Sequence, residues 1–123
     1  MLNSKPENQN SKPYDLGKRT LKFAKRVVAY VNKLPKTVTG IEIGKQLMRS
    51  AGSVGANYIE AEEALSRKDF AMRIKISRKE AKESKYWLLL GEPVNDQQGE
   101  RDALVQEATE LTKIFGAIVE KSK

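Results

Sequence analysis

The chain is predicted to be all-α, an antiparallel up-down-up-down four-helix bundle. Three observations predict it. Four stretches carry apolar or small residues at alternating steps of four and three, the spacing of helices packed in a left-handed bundle. The connections between these stretches are short, and rods joined that way must lie antiparallel. No stretch shows the period-two alternation of a half-buried strand.

Residues 1–13, MLNSKPENQNSKP, are polar, contain two prolines and have almost no apolar side chains. They are expected to be a disordered tail, leaving residues 14–123 for the bundle. The first helix is expected over about 15–34. Its seam is Leu16, Thr20, Phe23, Val27, Tyr30 and Leu34, and Pro35 stops it.

The second helix, about 38–65, should be central. Its seam is Leu47, Ala51, Val54, Tyr58, Ala61 and Leu65, yet Gly44, Gly52 and Gly55 interrupt it. A glycine inside a helix costs about 1 kcal/mol relative to alanine. Close approach of a neighbouring helix is the expected reason for all three.

The third helix, about 67–90, has Ser66 as its N-cap and Asp69 three residues later, a capping box. Its seam is Phe70, Ile74, Ser77, Ala81, Ser84 and Leu88. The small middle of that seam suits the glycines of the second helix. Gly91 and Pro93 end it. The fourth helix, about 100–121, has the seam Leu104, Ala108, Leu111, Phe115 and Ile118. Rods of this length span roughly 30–42 Å at 1.5 Å per residue.

Composition narrows the function. The chain has no Cys and no His, which removes thiolate chemistry, the commonest general base and the inward Glu-x-x-His pairs of di-metal bundles. Its glycines lie inside helical patterns and form no phosphate loop. No catalytic residue, metal or cofactor is expected, and the protein is read as non-enzymatic. No apolar run is longer than Tyr86–Leu90, which is far short of a membrane span, and no apolar signal-like stretch follows the N-terminus. A cytoplasmic location is the expectation.

The net charge is +7. Residues 1–36 carry a net +7, 37–65 a net −2, 66–91 a net +5 and 92–123 a net −3. Basic helices therefore alternate with acidic ones. Part of that charge can pair between neighbours, each exposed pair contributing under about 1 kcal/mol. The surplus suggests an anionic partner, and RNA or DNA is the usual one. The candidate phosphate-binding residues are Lys18, Lys22, Lys25 and Arg26 on the first helix and Lys75, Arg78, Lys82 and Lys85 on the third. No exposed aromatic is expected among them, so contact with phosphates and not base stacking is the expectation. The alternative is a structural or protein-interaction module in which these charges only pair with neighbours. A polar row, Arg49, Ser53, Asn57 and Glu60, runs beside the second seam, where Glu80 and Glu83 can meet it. It is read as a structural network.

The segments YDLGKRTLKFAKRVV, KLPK, QLMRSAGSVGANYIEAEEALSRKDF and ISRKEAKESKYWLLL resemble the bacterial four-helix family of 23S rRNA intervening-sequence proteins. The resemblance covers about residues 14–90. It implies a bundle assembled as a homopentamer. A related group, the accessory variability determinant proteins of diversity-generating retroelements, is similar in fold, pentameric and basic, and works with nucleic acid. The acidic fourth helix departs from a uniformly basic surface. The sequence supports a homo-oligomer independently. Met72 and Ile76 sit two positions past Phe70 and Ile74, so they point away from the intramolecular core.

Overall fold

A computed structural model describes residues 15–123. The tail expected over residues 1–13 lies outside the described residues. Four helices follow one another: α1 (Leu16–Asn32), α2 (Val38–Glu62), α3 (Arg67–Leu90) and α4 (Gln98–Lys121), the last entered through a single 3-10 turn, Asn95–Gln97. No strand occurs among the described residues. Consecutive helices pack side by side, and α4 returns beside α1, which closes the four-helix arrangement.

Side-chain caps start three of the helices. Asp15 accepts from the Lys18 amide (3.2 Å), Thr37 from the Gly40 amide (3.0 Å) and Ser66 from the Asp69 amide (3.0 Å). Each satisfies one of the orphan donors of a first turn. α4 has no side-chain cap and uses the 3-10 turn instead.

The core is the four seams meeting. Phe23, Val27, Leu47, Val54, Ile74, Leu88, Leu104, Leu111 and Phe115 are all buried. The α2–α3 contact is built from small residues. Ser50 and Ser84 share a hydroxyl–hydroxyl hydrogen bond (2.9 Å), and Ser77 donates to the Val54 carbonyl across the helices (2.9 Å). Ser84 reaches back to the Glu80 carbonyl (2.9 Å). No core hydroxyl of this group lacks a partner, as burial demands.

Several expectations need correction. α1 ends at Asn32, two residues short of Leu34. The amides of Lys33 and Leu34 tighten onto Tyr30 and Val31, and Leu34 still fills the core from the connection. α2 ends at Glu62, and Leu65 is 98% exposed instead of in the seam. There the chain unwinds through tight bonds from Glu63 to Glu60 and from Ala64 to Ala61, so Leu65 lies at the tip of the turn that Ser66 closes. In the last turn of α4 it is Val119, not Ile118, that is buried.

The glycines divide. A Cβ on Gly55 would lie 2.9 Å from Thr20 Oγ1 and 3.2 Å from Thr20 Cβ, and one on Gly44 would lie 2.9 Å from Val31 Cγ1. Both therefore allow α1 to approach α2. Gly52 faces open space, with nothing within 4 Å, so close approach does not explain it.

Candidate nucleic-acid interface

The charged side chains of α1 divide by helical position. Arg19 and Arg26, a heptad apart, lean toward α4. Arg19 is bidentate to Glu107 (Nε to Oε2 2.7 Å, Nη2 to Oε1 2.9 Å) and also donates to Glu110 (3.0 Å). Arg26 is bidentate to Glu100 (3.1 Å for both bonds). These hydrogen bonds to carboxylates hold both guanidinium groups above their ordinary pKa, against the opposing effect of burial. Lys18, Lys22 and Lys25, at steps of four and three, line one outward face and are exposed. Lys18 makes a long 3.9 Å pair with Asp15. Lys22 and Lys25 make no ion pair among the described residues. A shallow groove of about 400 Å³ runs along this edge, lined by Asp15, Lys18, Arg19, Lys22, Phe23, Arg26 and Glu107.

The second basic stripe lies across α4, on α3. Lys75 and Lys82 are exposed, and Arg78 and Lys85 are half-buried. Arg78 lies against Gly116 of α4: a Cβ there would be 3.8 Å from its Cδ. None of the four makes an ion pair among the described residues. The two stripes thus flank α4 from either side. One expectation fails here. Tyr86 is exposed on α3 beside Lys85, packed edge-on against Trp87 with ring centroids 5.2 Å apart.

The polar row of α2 is brought together only in part. Arg49 pairs with Glu80 (3.4 Å) and with Glu83, and Trp87 Nε1 donates to Glu83 (2.9 Å). The indole N–H, and then Arg49, hold the Glu83 carboxyl below its ordinary pKa. Asn57 donates to the Ser53 carbonyl (3.0 Å) and accepts from Arg73 (3.0 Å). Glu60 stands apart, exposed and without an ion pair among the described residues. These bonds link α2 to α3.

The family model for the 23S rRNA-intervening sequence protein matches residues 12–117. The chain belongs to the 23S rRNA-intervening sequence protein family. Among solved structures, it is similar to a protein of unknown function from the S23 ribosomal protein family of Bacteroides thetaiotaomicron. The two share 33% identity over 85% of this chain and 97% of the other, with a TM-score of 0.70. No curated protein matches the sequence.

The charge tallies imply that basic helices pair with acidic ones. α1 and α4 do so. α2 and α3 pair the other way, with the arginine on the acidic helix and the carboxylates on the basic one. Arg26, placed by sequence among the phosphate-binding candidates, is occupied by Glu100. Arg19, absent from those candidates, makes the strongest contact of the edge. Its heptad relation to Arg26, matched by that of Glu100 to Glu107, is the signal that could have found it. No helix is long and apolar enough to cross a membrane, and no group of three acidic residues is placed to hold a metal ion, among the described residues.

Proposed function

We propose that this protein is a non-enzymatic homo-oligomer of the cytoplasm that binds RNA or DNA through phosphate contacts, without reading sequence. One observation carries the reading. Lys22 and Lys25 on α1, and Lys75, Arg78, Lys82 and Lys85 on α3, flank α4 without a carboxylate partner among the described residues. Uncompensated cations spread along two helices suit a phosphate backbone, whose binding grows with the number of counterions released. With one exposed ring, Tyr86, at the margin of one stripe, base stacking along a strand has little support.

Oligomerisation has its own support. Leu21 and Val28 on α1, and Ile41, Met48 and Ile59 on α2, are exposed and recur at helical spacing. Met72, Tyr86 and Leu90 are exposed on α3. Apolar side chains in such numbers suit burial against further copies. The number five follows from the family resemblance. The competing reading, a purely structural or protein-interaction module, is favoured by the occupation of Arg19, Arg26 and Arg49 by carboxylates.

A salt titration separates the two readings. Affinity for mixed-sequence duplex DNA and for RNA should fall with a log–log slope of several units, about 0.9 per phosphate contact on duplex DNA. Undetectable binding at low salt would leave the structural module standing.

A further inference from the structure

The α1–α4 edge holds five cations, yet two of them, Arg19 and Arg26, already grip carboxylates of α4. Glu100 and Glu107 are a heptad apart on α4, in register with Arg26 and Arg19, and each carboxylate is gripped by two parallel N–H···O bonds. The guanidinium fork makes the same bidentate contact with a phosphate. Glu110 adds a second carboxylate to Arg19, at 3.0 Å. Lys18 and Lys22 line the same groove as the two arginines and Glu107. A phosphate chain lying on the exposed lysines would therefore pass within reach of two guanidinium groups whose Nε–Nη2 forks are in use.

We infer that α4 is an internal competitor for the polyanion: Glu100, Glu107 and Glu110 occupy Arg19 and Arg26 and withhold them from nucleic-acid phosphate. This rests on the phosphate-binding reading above and assigns a regulation to the same site. In the native protein the lysines alone count phosphates along α1. Neutralising the α4 carboxylates releases two forked donors to the surface, and two more phosphates are engaged.

The number of contacts, and not the affinity alone, tests this. A short mixed-sequence DNA duplex is titrated at several salt concentrations against the native chain, E100Q/E107Q/E110Q, and a control that removes the same charge from exposed positions of α2 and its C-cap, E42Q/E62Q/E63Q. The α4 variant should steepen the log–log slope by about 1.8, at about 0.9 per added contact. The α2 control should shift affinity without changing the slope. E100Q alone, which leaves the Arg19 pair intact, should add about 0.9, so the inference remains testable if the triple variant does not fold. Adding R19Q/R26Q to the α4 variant should return the native slope, and adding it to the native chain should leave the slope unchanged. Equal slopes for the α4 variant and the α2 control would overturn the inference while leaving phosphate binding in place. Absence of binding by all of these proteins would overturn both.

Discussion

At the scale of single residues, two glycines three positions apart in α2 serve different purposes. Gly55 lies where Thr20 of α1 leaves no room for a Cβ, whereas Gly52 faces open space. Gly55→Leu should therefore lower stability by about 1–3 kcal/mol or more through overpacking. Gly52→Ala should raise it by up to about 1 kcal/mol through helix propensity. Thermal melts of the two variants check both signs, and an unchanged melting temperature for Gly55→Leu would remove the close-approach account. Sequence identified the glycines as anomalous but assigned all three the same cause. A helix pattern marks a residue's distance from its own seam; it carries no information on whether a neighbour reaches that far along the rod.

At the scale of helices, the seams were legible because burial repeats every three or four residues, and so was the Ser66 cap. The ends were less so. Leu34 and Leu65 continue the apolar period of their helices, yet both lie beyond the last helical turn, one buried and one at a turn tip. Nor does the period of one helix say which flank faces which neighbour, since that depends on how the bundle is wound. Arg19 is accordingly absent from the phosphate candidates, whereas the meeting of Arg49 with Glu80 and Glu83 is legible from the polar row beside the α2 seam. The Arg49–Glu83–Trp87 link yields a pH prediction. The folded state holds the Glu83 pKa below the ordinary 4.5. Its contribution is therefore complete above the unfolded-state pKa and is lost as pH falls through the folded one. Trp87 is the single tryptophan. Its fluorescence should stay constant down to about pH 5 and change only below the ordinary carboxylate range. A Glu83→Gln variant should lack that part of the transition, and an identical titration in the variant would show that Glu83 is not its source.

At the scale of the whole molecule, fold and family were both legible, because glycines and an asparagine inside the helical stretch RSAGSVGANYIEA are distinctive. The candidate site was legible as two basic helices. Its position on either side of an acidic α4 follows from the alternation of basic and acidic helices in an up-down bundle; which of its cations carboxylates occupy does not, because that depends on which flanks meet. The proposed assembly rests on the exposed apolar residues of α1, α2 and α3. Light scattering at micromolar concentration should give a multiple of 13.8 kDa, about 69 kDa for the five copies the family resemblance implies. A mass of 13.8 kDa would leave those side chains wet and remove the oligomer. The central claim is that unpaired lysines of α1 and α3 bind phosphate, and one comparison tests it most directly. Binding of mixed-sequence RNA and DNA at low salt is measured for the native chain and for K22E/K25E/K75E/K82E, whose substitutions all lie on exposed helix surface. The account predicts that the native protein binds both nucleic acids and that the variant, folded by circular dichroism, binds neither. Equal binding by the two proteins would contradict it.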